Sequence, residues 1–353
     1  MIARTLNRGG QFACDEGRSI VDWRPSERSA VAYFSISMID WLTGKAVLTF
    51  TRFSLMIGCS LARAFPQGIY RFSDWLASLG FWIFVSLRKR SIGNIQVAFN
   101  TTLDPLIVLD IARRSLRNFF RANVEIVAFL KASDEEYRSK ISVEGWEYLQ
   151  AALAKQKGAL VLSAHLGNFY LAGSRLAIEG LPTHVLVNQP RDDRVAQLMD
   201  DYRLQVRQRT IHARPRRQAL RELSRVLRNN QIAVIIADEY RGSTGIAVPL
   251  FGKTVRARRG PVTLALRTGA AVVPACVVRQ PDNTLKLQIE PELELDRSGR
   301  GQTQIRENTI RLTQWLERTV RQYPDQWNWM NIRWWESEDN HSISETPHLK
   351  QAS

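Results

Sequence analysis

Residues Leu162-Ser163-Ala164-His165-Leu166-Gly167-Asn168-Phe169-Tyr170 have the types and the spacing for acid–base chemistry. An apolar, strand-like run delivers a histidine into a Gly-Asn turn, and a helical pattern follows over residues 168–178. Imidazole titrates near neutrality. At the carboxyl end of a strand it can take the proton from a hydroxyl that attacks a thioester carbonyl. Backbone amides at a helix start can hold the oxyanion that forms. Gly167 lets substrate approach the backbone, and Asn168 fits a helix N-cap. Taken alone the block is weak, because a lone histidine in such a run is more often structural than catalytic.

Two further clusters lie downstream. The apolar run that ends at Ala237 is followed by Asp238 and Glu239, then by a Gly-rich turn that carries Arg241 and Gly242. Arg256, Arg258 and Arg259 precede Gly260-Pro261 at a predicted helix start, a place suited to a phosphorylated headgroup or a phosphopantetheine arm. A solvated turn and ordinary surface charge are the plainer readings. Cys14, Cys59 and Cys276 are far apart, and the five histidines include no pair at helical ligand spacing. The sequence therefore predicts neither a disulfide framework nor a metal site, and a reducing compartment fits.

The elements that position these clusters follow from periodicity. Residues 1–30 are polar, unlike a signal peptide, and read as disordered. Residues 31–130 read as helical. They contain two uncharged apolar stretches, 53–62 and 75–87, the second ending in Arg88-Lys89-Arg90. Both are shorter than the roughly 20 residues that span a bilayer. They read as interfacial or partly inserted helices, with a buried helical hairpin as the alternative. The basic cluster favours an anionic cytoplasmic leaflet. After a charged connector at 134–138, strands are predicted at 159–164, 183–187, 210–212, 232–237, 271–278 and 285–290. Helices are predicted between them at 168–178, 193–207, 214–228 and 261–267, and a last one at 302–323. This alternation predicts an α/β fold with a mostly parallel sheet flanked by helices over residues 131–336. Residues 337–353 read as a disordered tail.

The 353 residues carry 49 basic and 34 acidic side chains, for a net charge of +15. Forty of the 49 are arginine, whose guanidinium matches phosphate and carboxylate geometry. Arg214, Arg217, Arg221, Arg225 and Arg228 fall on one face of a predicted helix, with Leu220, Leu223 and Leu227 opposite. That face is either solvated or docks on an acidic carrier protein or on membrane phosphates. Charge alone does not indicate nucleic acid, since no zinc spacing or recognition-helix signature accompanies it.

The blocks taken in order resemble the lysophospholipid acyltransferase superfamily, most closely the branch that adds the late acyl chains to lipid A. The resemblance begins near Arg90 and ends near Trp334. It rests on Val143-Glu144-Gly145-Trp146, Lys157-Gly158-Ala159-Leu160, the histidine block, the Asp238 block, Val248-Pro249-Leu250-Phe251-Gly252-Lys253, Thr268-Gly269-Ala270-Ala271-Val272-Val273-Pro274 and Tyr323-Pro324-Asp325-Gln326-Trp327-Asn328-Trp329. It implies a glycerolipid acyltransferase-like fold and a base at His165. It implies a reaction that moves a fatty acyl chain from acyl carrier protein or acyl-CoA to a hydroxyl of a lipid or glycolipid, without a cofactor. The place implied is the cytoplasmic face of a bacterial inner membrane, as a peripheral or monotopic protein. In that family an Asp or Glu follows the histidine after four residues. Here the position is Tyr170, which brings no charge at pH 7. Asp238 or Glu239 then becomes the candidate replacement carboxylate. The alternative is a catalytically impaired or non-catalytic member that binds lipid or acyl groups.

Overall fold

The computed structural model describes residues 57–330 apart from 62, 63, 101, 189–191, 239, 241–244 and 300. The expectations for residues 1–30 and 337–353, for residues 31–56 of the helical region, with residues 53–56 and 62 of the first apolar stretch, and for Glu239, Arg241 and Gly242, lie outside the described residues.

Continuous apolar runs form the centre of the sheet. Strand β2 (Ala159–Ser163) is buried at all five positions. It pairs in parallel with β5 (Ile232–Ile236) on one side and with β8 (Ala271–Arg279) on the other. Strands buried on both faces have no solvated side on which polar residues would alternate. Beyond them lie β3 (Thr183–Val187), β4 (Arg209–His212), β9 (Leu285–Ile289) and β1 (Ile141–Glu144), in the order β1-β9-β8-β2-β5-β3-β4. Within this sheet only the β8–β9 pair is antiparallel. The chain is thus a mixed α/β protein with a mostly parallel central sheet. Because β2 and β5 are parallel neighbours, the residues that follow each emerge at the same edge of the sheet, where β-to-α crossovers leave room for a site.

The helices that flank the sheet or precede it from Pro66 onward are α1 (Pro66–Ile83), α2 (Val85–Ala98), α3 (Pro105–Phe129), α4 (Asp134–Lys140), α5 (Trp146–Ala154), α6 (Ala172–Ala177), α7 (Asp193–Gln205), α8 (Arg216–Arg228), α9 (Gly260–Thr268) and α10 (Gln302–Gln322). Two expectations are corrected here. The connector at 134–138 is helix α4, nucleated by a capping box in which Ser133 and Glu136 bond each other's backbone amides. On α8 the core-facing residues are Ala219, Leu223, Val226 and Leu227, whereas Leu220 is 43% exposed. Spacings of three and four centre the buried stripe on 219–223–226, and one further residue turns Leu220 about 100° away from it.

Three strands escape the periodicity. Strand β1 has only four residues. Strands β6 (Ile246–Leu250) and β7 (Lys253–Ala257) form a separate antiparallel hairpin with mixed exposure. Phe251 and Gly252 close it, both with positive φ (51° and 74°), as a tight two-residue turn requires.

Helices α1 and α3 pack through Ala77 and Phe81, and Arg121 holds Asp74 with two hydrogen bonds, of 2.7 and 2.6 Å. The outer side of α1 and its junction with α2 leaves Phe72, Trp75, Leu79, Trp82, Ile83 and Phe84 exposed. The guanidinium groups of Arg88 and Arg113 lie over the Trp82 ring, 5.3 and 5.7 Å from its centroid. No described helix is long and apolar enough to cross a membrane.

Candidate active site

His165 follows β2 by two residues and Asp238 follows β5 by two, so the parallel pairing sets them side by side. His165 Nδ1 lies 2.7 Å from Asp238 Oδ1, and the His165 backbone N–H donates to Oδ2 at 2.8 Å. The indole Nε1–H of Trp327 donates to the same Oδ2 at 2.8 Å. Asp238 is thus buried among three donors. Burial alone would raise its carboxyl, but the facing His165 and these hydrogen bonds outweigh it and hold the group below the ordinary carboxylate range. A carboxylate on Nδ1 selects the Nδ1–H tautomer and makes Nε2 the basic nitrogen. The His165 side chain is 27% exposed, so a substrate can reach the ring.

The segment Tyr323–Trp329 fixes the turn around His165. Trp327 forms an antiparallel bridge with Leu166, Asn328 N–H donates to His165 O (2.9 Å), and Gly167 N–H donates to Gln326 O (2.9 Å). Asn168 N–H donates to Val277 O at 2.8 Å. Of the two oxyanion donors the sequence suggests, amides near Gly167–Asn168 or a nearby Arg, the first is corrected: both amides are spent on the neighbouring chain. The helix also starts later than predicted, at Ala172, because residues 168–171 close a separate turn (Leu171 N–H to Asn168 O, 3.1 Å). Asn168 is accordingly not its cap. It is buried and donates through Nδ2 to Glu125 Oε2 at 2.7 Å.

Gly167 has φ +58°, and a Cβ there would stand 2.0 Å from Val277 O, a backbone atom that cannot move aside. Gly167→Ala is expected to cost on the order of 3 kcal/mol. The readout is a fall of several degrees in Tm, and an unchanged Tm contradicts this account of the turn.

Tyr170 does not bond His165. Its ring packs on Phe169 (centroids 4.0 Å apart), its carbonyl accepts from Gln208 Nε2, and burial pushes its phenol up despite the opposing charge of Arg203. Phe169 in turn meets the His165 ring edge-on at 4.8 Å. Arg258 lines a small cavity with Asp238, Tyr240, Leu162, Ala257 and Leu316, so the basic loop and the carboxylate adjoin one space. Arg256 alternates outward on β7 and Arg259 is exposed at the start of α9. Cys276 lies near Ser163 beneath the site, and burial pushes its thiol up to about 12, so it holds no thiolate to act as a nucleophile. Sequence reasoning singled out the Tyr323–Trp329 block without giving Trp327 a role, since nothing local shows that an indole N–H reaches a carboxylate 89 residues away.

Residues 46–336 match the family described as bacterial lipid A biosynthesis acyltransferase. Among curated proteins, the phosphatidylinositol mannoside acyltransferase of Mycobacterium tuberculosis (strain ATCC 25618 / H37Rv) is 31% identical over 133 residues, 37% of this chain and 42% of that protein. The protein of the same name from Mycolicibacterium smegmatis is 25% identical over 229 residues, 64% of this chain and 72% of its own. The lipid A biosynthesis palmitoleoyltransferase of Escherichia coli (strain K12) is 26% identical over 204 residues, 57% and 63% respectively. The match thus spans less than half the length of the Mycobacterium tuberculosis relative. The family match, by contrast, covers every strand of the described sheet and everything that builds the histidine turn. The chain belongs to the bacterial lipid A biosynthesis acyltransferase family.

Proposed function

We propose that this protein transfers a fatty acyl chain from acyl carrier protein or acyl-CoA to a hydroxyl of a membrane lipid or glycolipid, of the lipid A or lysophospholipid kind. The observation that carries the reading is the His165–Asp238 pair, with Trp327 fixing the carboxylate. His165 Nε2 takes the acceptor hydroxyl proton as its oxygen attacks the thioester carbonyl. The tetrahedral intermediate collapses, the carbon–sulfur bond breaks, and the imidazolium returns the proton to the leaving thiolate. Asp238 orients the ring and stabilises its charged form, the work that Tyr170 cannot do. With the Gly167 and Asn168 amides engaged, Arg258 is the donor we assign to the oxyanion or to the donor's phosphate.

The same proposal gives α1 its place. Its exposed aromatic side, with Arg88 and Arg113 beside Trp82, suits the interface of an anionic leaflet, with the protein peripheral or monotopic on the cytoplasmic face of a bacterial inner membrane. Replacing Trp75 and Trp82 with serine is expected to weaken co-sedimentation with vesicles that contain an anionic phospholipid by about tenfold or more. Equal sedimentation of the variant and the wild type sinks this assignment.

The deciding experiment incubates the purified protein with labelled acyl carrier protein or acyl-CoA and an extract of bacterial membrane lipids. A labelled ester is expected. Absence of ester with every donor, together with retained lipid binding, favours instead the non-catalytic member that the tyrosine at position 170 suggests.

A further inference from the structure

Glu125 lies on α3, is buried to 1% exposure, and has no part in the reaction proposed above. Its carboxylate accepts four hydrogen bonds. Oε1 takes Tyr70 Oη–H at 2.9 Å and Arg279 Nη1 at 2.7 Å. Oε2 takes Arg279 Nη2 at 2.8 Å and Asn168 Nδ2 at 2.7 Å. The donors come from three separate places: helix α1, the end of strand β8, and the turn that carries His165. The backbone of Arg279 is itself clasped by the Gln326 side chain, at 2.8 Å to both N and O, and Gln326 O receives the Gly167 N–H. The bonds around Glu125 and those around the turn therefore form one connected network.

A buried ion pair adds little stability, because desolvating both charges offsets their attraction; an apolar pair of similar volume often does as well. What a four-bonded carboxylate adds is direction. It leaves Asn168 one position, and Asn168 is three residues past His165 through a glycine whose conformation is already fixed. The same Asn168 Nδ2 also donates to Ala122 O on α3, at the longer distance of 3.4 Å.

We infer that Glu125 is a positioning residue for His165: anchored by Arg279 and Tyr70, its carboxylate holds Asn168 and thereby sets the turn that presents the imidazole to Asp238. The turnover readout of this inference rests on the acyl-transfer reading; its spectroscopic readout does not.

The test uses Asn168→Ala, Glu125→Gln and the double variant in the full chain. Asn168→Ala leaves the Glu125–Arg279 pair intact and so keeps its fold, whereas Glu125→Gln strands the Arg279 charge. Each folded variant is expected to lose about 10- to 100-fold in kcat, because a displacement near 1 Å at a reacting group costs as much as about 10²-fold. The KM for the acyl donor stays within about twofold, since donor binding is not what the link serves. The double variant is no worse than the poorer single one, because both break one connection. In parallel, the ¹⁵N-resolved titration of the His165 imidazole shifts in Asn168→Ala as the ring leaves its place on Asp238. A folded Asn168→Ala with wild-type kcat and an unshifted His165 titration overturns the inference. So does a fall in kcat that only tracks a loss of folded protein while the titration stays in place. If the wild type makes no ester with any donor, the acyl-transfer reading fails by itself, and the imidazole titration decides alone: a shift upholds the role of Glu125, no shift ends it.

Discussion

A His165→Ala variant is expected to lose ester formation by about 10⁴-fold or more, with its fold intact. The size follows from what the ring does. A base that accepts the hydroxyl proton in the transition state contributes about 10²–10⁴-fold by itself. Here the same ring also returns a proton to the leaving thiolate, so two barriers rise together. The fold should persist, because the imidazole is partly exposed and the turn is held by backbone bonds to Gln326, Asn328 and Val277, which alanine keeps. Removing an interaction made only in the transition state lowers kcat and kcat/KM alike and leaves donor KM near the wild-type value. The measurement is steady-state ester formation against donor concentration, with circular dichroism to verify folding. Activity within about tenfold of wild type removes His165 from the chemistry, since no general base of this kind contributes so little.

The parts of this site that the sequence revealed are those written in local patterns. β2, β5 and β8 are uninterrupted apolar runs, so their extents and their parallel, doubly covered setting follow from periodicity. That places the residues after β2 and after β5 at one edge, which makes Asp238 a candidate partner of His165 on topology alone. The turn itself is not written in a local pattern. Asn168 has an N-cap's residue type in an N-cap's place, yet its amide goes to Glu125, and a contact 43 residues back overrides the local preference. Trp327 was unreadable for the same reason, because its role depends on where the Tyr323–Trp329 segment crosses the sheet edge. Glu125 did leave a signal. On α3 it falls in the buried series Val108, Ile111, Ser115, Ala122, Glu125 and Phe129, so an ionisable residue interrupts the core stripe of an amphipathic helix. A charge in that position has to be paired in the folded protein, and its partner was the residue to look for.

An Asp238→Asn variant is expected to fall about 10⁴-fold in kcat, by a route distinct from losing the base, in line with the same exchange in the Ser-His-Asp template. Three N–H groups converge on the Asp238 carboxylate: His165 N–H, His165 Nδ1–H and Trp327 Nε1–H. A carboxylate accepts them all. An amide has one acceptor oxygen and one NH₂, so one of its positions now meets a donor with a donor. The two backbone and indole donors cannot change, but the imidazole can: moving its proton to Nε2 lets Nδ1 accept from the amide. That repair puts a hydrogen on the nitrogen that must act as base, and catalysis stops while the site stays bonded. Combined with His165→Ala, Asp238→Asn therefore costs almost nothing further, because it acts through a ring that is no longer there. Stability carries a second signature with a definite sign. The Asp238 carboxyl is held below its ordinary value of 3.8, so its stabilising contribution is complete above that pH and is lost as pH falls through the lower folded value. At neutral pH the variant should melt below the wild type, and the gap should close as pH drops below about 4. Melting curves across that range check it. A gap that stays constant into acid means that the carboxylate charge does not hold the His165 turn, and the acid–base pair proposed here then loses its support.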